Sequence, residues 1–421
     1  MPDARIDRLR SLCTDQGVDA LVLTDPHNVR YATGYHSVLE RWTLREPLSA
    51  AIVPADAAAP VQLVIPEANV AILAVLADQG APTREDEIRT FDMLNFCDVA
   101  RAADPHAAAS AIGEAAAALF AEKVRGACRA DIVAAVAAAL ADHGLAGARL
   151  GVDDLRMGAK VADAASGPAI VDAYDPLIVA RMVKTPDEHA AFRRVGAQGD
   201  AAVAFAAEQL EPGVTWDEVQ YRIADFMVRR DIIPVDEGAV LFGGAFRGAF
   251  MPELFRTRCD RPLADGDIVI LETQGVSEGF WIDINRTATL GAPSAPYQRL
   301  HDMIRDTFLT LVDAMKPGAH TGDLSRQGYE ILKSKGVSAP EKFLVVAHGV
   351  GHMPLEIPVP FPAYGRAGAD GFVIEKDMVV SLDCLHFGSE FGPCHMENVF
   401  IISDHGAEST YKTPLDLLGP R

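Results

Sequence analysis

The sequence has few cysteines, and none of the six forms a Cys-x-x-Cys pair. Scattered cysteines in a chain of 421 residues argue against a disulfide framework, so reduced thiols are expected. No charge-free apolar run reaches the length of about 18 residues that a transmembrane helix requires. The N-terminal residues are polar and lack the apolar segment of a signal peptide. We therefore expect a cytoplasmic protein with no membrane partner.

Positive charge is also scarce. The chain has 38 lysines and arginines against 59 aspartates and glutamates, which gives a net charge of −21. No basic stripe is present to neutralise phosphates, so nucleic acid is not an expected partner. The length is sufficient for two or three domains with cores of their own.

The N-terminal part of the sequence alternates between short apolar runs and alanine-rich helical patterns. Alternation of this kind predicts an α/β domain. The predicted strands lie at 20–23, 50–53, 61–65 and 149–153. The predicted helices lie at 5–17, 66–79, 107–121 and 128–143.

A domain boundary is expected near residues 175–186. Thr185 is a plausible N-cap of a long helix, with Pro186 at its first position. We place the first domain at 1–178 and the second at 179–421.

The second domain contains a weak internal repeat. The segments 210–218 and 315–323 each follow a helical pattern, and each contains Pro-Gly and then a threonine that can cap another helix. Two similar halves of this kind would enclose a sheet and leave a cleft between them.

Two acidic residues mark a predicted β-hairpin in the second domain. The apolar run 268–271 predicts a buried strand that ends on Glu272. A turn is expected at 275–279, followed by a second strand that carries Asp283. This hairpin could bring both acids to the same depth of a sheet. There they would repel each other unless a cation or a shared proton held them.

Three later residues extend this acidic set. His348 precedes Gly-Val-Gly, Asp383 ends an apolar strand, and Glu397 begins another strand. Four carboxylates and one imidazole are an oxygen-rich donor set that favours manganese, iron or zinc over copper. The alternative interpretation is that the acids are solvated strand ends and the histidine is a packed core residue.

The order of these residues resembles the pita-bread metallopeptidase superfamily, which includes methionine aminopeptidase, Xaa-Pro aminopeptidase, Xaa-Pro dipeptidase and creatinase. That superfamily has Asp, a second Asp before x-x-Arg-Thr, His in His-Gly-x-Gly, and two late Glu. The corresponding positions here are, in order, Glu272, Asp283, His348, Asp383 and Glu397. The resemblance implies a creatinase-like α/β domain followed by a pita-bread catalytic domain. It also implies a homodimer.

The resemblance assigns a role to each ligand position. Asp283 and Glu397 fall at the positions that bridge two divalent ions. Glu272 would chelate one ion, and His348 and Asp383 would hold the other. Glu272 replaces an Asp and Asp383 replaces a Glu, so both positions keep oxygen donors. Glu272 is one methylene longer than the residue it replaces, and Asp383 is one methylene shorter. The two exchanges therefore either compensate for each other or weaken the binding of one metal ion.

The histidines that the superfamily's peptidases use are displaced or missing. Leu355 stands where a histidine is expected after His-Gly-x-Gly, and His352 is offset from that position. The upstream segment 253–258 has no histidine. His352 is the candidate proton shuttle, with a hydrogen bond to a ligand carboxylate as the alternative. Glu356 falls at a Glu beside the substrate histidine, with a salt-bridged turn acid as the alternative.

Four further side chains are candidates for the site. Arg256 and Arg258 could bind a substrate carboxylate bidentately, or could be surface arginines of an acidic protein. His386 and His395 flank the late ligands. Because residues of a strand alternate between its two faces, at most some of these histidines face the cleft.

The leading hypothesis is a metal-dependent hydrolase similar to Xaa-Pro aminopeptidases and dipeptidases, with a small amino-acid-like or dipeptide substrate. Because the peptidase histidines are absent, a non-peptidase relative is favoured almost as strongly as this hydrolase. Such a relative would be a creatinase-type C–N hydrolase or a dimethylsulfoniopropionate-lyase-type enzyme. A third possibility is a metal-free pseudoenzyme that binds a protein partner.

Overall fold

The computed structural model describes most of the chain, namely residues 4–36, 46–70, 73, 87–93, 114–234, 244–246, 260–356, 371–386 and 392–419. These residues form two compact units, Met1–Arg181 and Met182–Arg421. The expected domain boundary after residue 178 falls inside the helix Tyr174–Met182 and stays a prediction.

The first unit contains a six-stranded mixed sheet. Its strands are β1 Ala20–Leu23, β2 Ala50–Pro54, β3 Gln62–Pro66, β4 Glu87–Phe91, β5 Arg149–Val152 and β6 Ala169–Asp172. They are arranged in the order β4-β3-β2-β1-β5-β6, and β2 runs antiparallel to both of its neighbours. The four strands predicted from apolar runs are therefore confirmed.

Helices accompany both faces of this sheet. They are α1 Ala4–Gln16, α2 Pro26–Thr33, α3 Glu114–Lys123, α4 Ile132–Asp142, α5 Leu155–Ala164 and α6 Tyr174–Met182. Leu21 and Leu23 pack in one apolar cluster, whereas Ala20 and Val22 pack in another. A strand with both faces buried explains why the first apolar run lacks polar alternation.

The second unit contains an eight-stranded sheet. Its strands are β7 Ile233–Pro234, β8 Gly244–Phe246, β9 Ile268–Ser277, β10 Phe280–Thr289, β11 Phe343–Gly349, β12 Val379–His386, β13 Cys394–Ser403 and β14 Gly406–Ser409. The main order is β11-β12-β13-β10-β9-β7, with β14 on β13 and β8 on β9. Its helices are α7 Pro186–Glu208, α8 Trp216–Val228, α9 Ala295–Ala314 and α10 Thr321–Ser334. No helix in the described ranges is apolar over enough of its length to span a bilayer.

Two of the three threonine caps predicted in the second unit are present. Thr185 caps α7 in a reciprocal box: its hydroxyl accepts from Glu188 N at 3.3 Å, and Glu188 Oε2 accepts from Thr185 N at 2.7 Å. Thr215 caps α8 in the same manner. The second half of the repeat differs from the prediction. There α10 begins at Thr321 and is capped by His320, whose Nδ1 accepts a hydrogen bond from Gly322 N at 3.2 Å.

The hairpin that carries the two acids is longer than predicted. Strand β9 continues through Gly275, and the turn consists of Glu278 and Gly279, with φ angles of 52° and 83°. Positive φ at both positions is typical of a two-residue type I′ turn. The turn predicted at 275–279 was wrong in extent because Gly275 is a packing residue. A Cβ there would lie 2.7 Å from side-chain atoms of both Ile232 and Met227.

A close approach between α7 and β10 fixes the strand that carries Asp283. A Cβ on Gly199 would lie 2.7 Å from Cε1 of Tyr411 and 2.9 Å from Cγ2 of Ile282. The hydroxyl of Tyr411 accepts a hydrogen bond from the backbone N–H of Asp283 at 2.9 Å. The missing side chain at Gly199 therefore leaves room for the tyrosine that anchors Asp283.

We predict that Gly199→Ala destabilises the protein by about 1 kcal/mol or more. Overpacking typically costs about 1–3 kcal/mol, while the higher helix propensity of alanine returns up to about 1 kcal/mol. Urea unfolding would measure the difference. The control is Gly147→Ala, in a turn where no atom beyond the neighbouring residues lies within 4 Å of an added Cβ. Equal stability of Gly199→Ala and the control would contradict the packing account.

Candidate metal centre

The register of the second sheet places the predicted ligands on one face. Glu272 pairs with Asn285, Asn285 with Glu397, and Glu397 with Asp383, so these four residues form one row across four strands. Residues two positions apart on a strand share a face. The adjacent row on the same face therefore includes Gln274, Asp283, Ser381 and His348. The two hairpin acids therefore lie in neighbouring rows, whereas the sequence led us to expect them at the same depth of the sheet.

All four carboxylates are buried, with at most 6% of each residue exposed. In the part of the chain that the structure describes, no lysine or arginine forms an ion pair with any of them. The basic groups in contact with them are two histidines, His348 and His395, which are charged only when protonated. Burial of several carboxylates is unfavourable unless cations or protons compensate for the lost hydration.

His348 lies between two of the acids. Its Nε2 is 3.0 Å from Asp383 Oδ2 and 3.7 Å from Glu397 Oε1. Its Nδ1 is 3.1 Å from the carbonyl oxygen of Gly349, which can only accept, so Nδ1 carries the proton. Burial opposes the charged form, but hydrogen bonds to Asp383 and Glu397 outweigh it and raise the pKa of His348 well above its usual value.

His395 is a site residue that the predicted ligand set did not contain. Its Nε2 is 2.8 Å from Asp383 Oδ1 and 3.7 Å from Glu397 Oε2, and its Nδ1 is 3.4 Å from Glu272 Oε2. Burial lowers the pKa of His395, but the hydrogen bonds to Asp383 and Glu272 raise it to about 10. His386 faces away, because it pairs with Cys394 and its ring lies 4.4 Å from that of Phe343.

Strand parity could have distinguished these two histidines. His395 is two residues before Glu397 and therefore shares its face. His386 is three residues after Asp383 and therefore faces the opposite side. The expectation that the flanking histidines alternate in direction agrees with this geometry.

Two amide side chains hold the hairpin acids, and sequence reasoning missed both of them. Gln274 Nε2 donates to Glu272 Oε1 at 2.9 Å and to Asp283 Oδ1 at 3.0 Å. Asn285 Nδ2 donates to Glu272 Oε2 at 2.9 Å. Burial raises the pKa of Glu272 to about 7 and raises that of Asp283 well above its usual value. Burial therefore disfavours the charged form of both acids.

The donor atoms fit metal ions. Two groups have ligand atoms that all lie within 4.8 Å of one another, and both include Glu397: Asp283, His348, Glu397 and Asp383, His395, Glu397. Ligands at about 2.0–2.2 Å from an ion, separated by about 90–110°, lie about 2.8–3.6 Å apart. Within these groups, three histidine–carboxylate distances of 2.8–3.7 Å are close to this spacing. Each group could therefore hold a metal ion, and Glu397 belongs to both groups.

The two predicted catalytic residues have different surroundings. His352 Nδ1 donates to the carbonyl of Gly279 at 2.7 Å, and its ring stacks on Phe280 with a centroid distance of 5.0 Å. Glu356 is buried and its Oε2 lies 3.0 Å from Lys184 Nζ. This is the geometry of the alternative interpretation, a salt-bridged turn acid. The catalytic roles of His352 and Glu356 stay predictions.

The predicted substrate-binding arginines, Arg256 and Arg258, lie outside the described residues. Their role is therefore still an expectation from the sequence.

Comparison with known proteins identifies both parts of the chain. Residues 5–183 match the family model of the creatinase/prolidase N-terminal domain, and residues 190–404 match that of metallopeptidase family M24. The chain belongs to metallopeptidase family M24. The predicted membership of the pita-bread superfamily and the predicted two-part fold are thereby confirmed.

Relatives of this M24 chain include both peptidases and a lyase. It is 29% identical over 257 residues to the probable dipeptidase PepE of Mycobacterium tuberculosis, covering 60% of this chain and 65% of that protein. It is 24% identical over 239 residues to the Xaa-Pro dipeptidase of Pyrococcus furiosus, covering 56% and 65%. The chain thus spans slightly less than two thirds of the length of these relatives. The dimethylsulfoniopropionate lyase DddP of Roseobacter denitrificans is 25% identical over 425 residues, covering 97% and 85%.

Solved structures of similar fold cover almost the whole chain. The prolidase of Pyrococcus horikoshii OT3 matches with a TM-score of 0.70 and 16% identity, covering 98% of this chain and 99% of the other. The Xaa-Pro dipeptidase of Bacillus anthracis matches with a TM-score of 0.71 and 19% identity, covering 98% of each chain. At these identities the likeness shows the fold alone.

The buried ion pair of Lys184 and Glu356 gives a prediction about stability. We expect Lys184→Met to lower the free energy of unfolding by about 3–5 kcal/mol, because it removes the buried ammonium group that pairs with the Glu356 carboxylate. The double variant Lys184→Met/Glu356→Gln should recover most of this loss. Denaturant titration of both variants measures the effect. If Lys184→Met were as stable as the unmodified protein, the structural role of Glu356 would be refuted.

Proposed function

We propose that this M24 chain is a metal-dependent hydrolase that resembles Xaa-Pro aminopeptidases and dipeptidases and acts on a small amino-acid-like or dipeptide substrate. We further infer that it acts as a homodimer, as the superfamily resemblance implies. The observation that carries the proposal is the pair of ligand groups that share Glu397. The family match over residues 190–404 supports it.

The proposed ligands common to the family pattern and the two groups are Asp283, His348, Asp383 and Glu397. Glu272 is the fifth residue of the family pattern and lies 3.4 Å from His395. A pair of divalent ions, which we take to be manganese, iron or zinc, would activate water and polarise a carbonyl group. The substrate carboxylate is assigned to Arg256 and Arg258 on the strength of the sequence.

Side chains of this protein would orient the donors and move protons. The hydroxyl of Ser381 donates to Glu397 Oε1 at 2.9 Å and fixes the orientation of the shared carboxylate. Gln274 holds Asp283 through its amide. His352 is fixed by Gly279 through Nδ1–H, so in its neutral form Nε2 is a proton acceptor. This nitrogen could take a proton from the nucleophile and return it to the leaving amine.

Turnover by metal-stripped and reconstituted protein tests the proposed function. The substrate panel should contain ordinary dipeptides, Xaa-Pro dipeptides and small N-acyl or guanidino acids, with amine release as the readout. We expect no turnover by stripped protein and recovery with manganese, iron or zinc on a small carboxylate-bearing substrate. Undiminished turnover after complete stripping would contradict the proposal, and so would a failure of every metal to restore hydrolysis.

A second candidate function is an elimination of the dimethylsulfoniopropionate lyase type. The similarity to DddP over 97% of this chain favours it, as does Leu355 at the position of the expected peptidase histidine. In this reaction a base removes a proton beside the substrate carboxylate, and the C–S bonding pair leaves with sulfur. The products are acrylate and dimethyl sulfide. Release of dimethyl sulfide from dimethylsulfoniopropionate would favour this candidate over hydrolysis.

We predict poor cleavage of Xaa-Pro dipeptides by the unmodified protein and faster cleavage by Leu355→His. Leucine can donate no proton, whereas a positioned acid–base group contributes about a hundredfold to ten-thousandfold in rate. Leu355 is 38% exposed, so the substitution has room. The measurement is kcat/KM on an Xaa-Pro dipeptide, with Leu355→Phe as the control. Fast cleavage by the unmodified protein that is abolished by His352→Ala would make His352 the displaced catalytic histidine.

A further inference from the structure

We infer that His395 is a ligand of the second metal ion and that Glu272 is a positioning residue that orients His395. This inference rests on the proposed function, because it requires that the site binds divalent ions. It assigns to a histidine of β13 the place that the family order gives to an acid of β9.

The position of His395 supports direct ligation. Its Nε2 is 2.8 Å from Asp383 Oδ1 and 3.7 Å from Glu397 Oε2, and these residues form one of the two groups with ligand spacing. His348 occupies a similar position in the other group, with its Nε2 at 3.7 Å from Glu397 Oε1. Each proposed ion would thus receive one imidazole and one oxygen of Glu397.

The other ring nitrogen of His395 faces a carboxylate. Its Nδ1 lies 3.4 Å from Glu272 Oε2. Histidines that bind metals usually donate their second N–H to a carboxylate, a carbonyl or water, which fixes the tautomer and the ring orientation. With the proton on Nδ1, the lone pair of Nε2 is available to the ion. Glu272 would therefore act through His395.

Glu272 itself has little remaining capacity to bind an ion. Its Oε1 accepts from Gln274, and its Oε2 accepts from Asn285 and faces His395. A carboxylate offers about four acceptor sites, so these contacts occupy most of them. Within the described ranges, Gln274 Oε1 and Asn285 Oδ1 are buried without hydrogen-bond partners. Reversing either amide would place a carbonyl oxygen against the carboxylate, so both amides are held with their N–H groups toward Glu272.

The competing arrangement has His395 as a doubly protonated cation that pairs with Asp383 and Glu272. In that case the imidazolium would take the place of the second ion, and the chain would bind one ion. Counting bound ions in variants separates the two arrangements.

The experiment uses full-length protein that is stripped of metal and titrated with Mn²⁺, with bound metal measured by elemental analysis and free Mn²⁺ by electron paramagnetic resonance. The variants are His395→Ala and Glu272→Gln. The control is His386→Ala, which removes the neighbouring histidine that faces Phe343. Thermal unfolding verifies that each variant is folded.

We expect two ions per chain for the unmodified protein and for His386→Ala, and one ion for His395→Ala. Glu272→Gln should still bind two ions at saturation, with the second about 10- to 100-fold weaker, because loss of an outer-shell partner typically costs that much affinity. In zinc-loaded protein, long-range ¹H–¹⁵N spectra should show two metal-bound histidine Nε2 atoms, and one in His395→Ala.

Two results would overturn the inference while leaving the metal dependence of the proposed function intact. The first is two ions of unchanged affinity in His395→Ala together with the loss of one ion in Glu272→Gln. The second is a single ion in the unmodified protein that His395→Ala does not affect. If the unmodified protein bound no ion, the proposed function would fail as well.

Discussion

The stability of the sheet face that carries the site depends on how the negative charge of four buried carboxylates is compensated. Glu272, Asp283, Asp383 and Glu397 are almost completely withdrawn from water. Burial raises the pKa of three of them, whereas the histidines and their hydrogen bonds lower that of Asp383. Such a cluster is unfavourable without positive charge. The divalent ions of the proposed function would provide that charge.

The architecture provides this cluster by ordinary sheet geometry. Antiparallel pairing places Glu272, Asn285, Glu397 and Asp383 side by side in one row. The surrounding packing then fixes the row, because α7 approaches β10 at a glycine and Tyr411 anchors the backbone of Asp283. Amide and hydroxyl groups orient the acids without adding charge. The side chains of the site are therefore held by hydrogen bonds and close packing, and a cation would compensate the charge of the buried acids.

Much of this arrangement could be predicted from the sequence. Apolar runs located four of the six strands of the first sheet, and the order of acids and histidine identified the superfamily. The turn at Glu278–Gly279 was not predictable from glycine positions alone, because Gly275 is required for packing against Met227 and Ile232. His395 and Gln274 were missed because their roles depend on strand register, which pairs residues far apart in sequence. The sequence did contain one indication: His395 lies two residues before Glu397, so both side chains are on the same face of the strand.

The central claim, that this face holds two divalent ions sharing Glu397, is tested most directly by anomalous X-ray diffraction. Crystals grown with manganese should be measured on both sides of the manganese absorption edge. The account predicts two anomalous peaks, each at a distance of about 2.0–2.2 Å from an oxygen of Glu397, as is usual for carboxylate ligands of such ions. Fully loaded crystals with no peak beside Glu397, or with peaks only elsewhere, would contradict it.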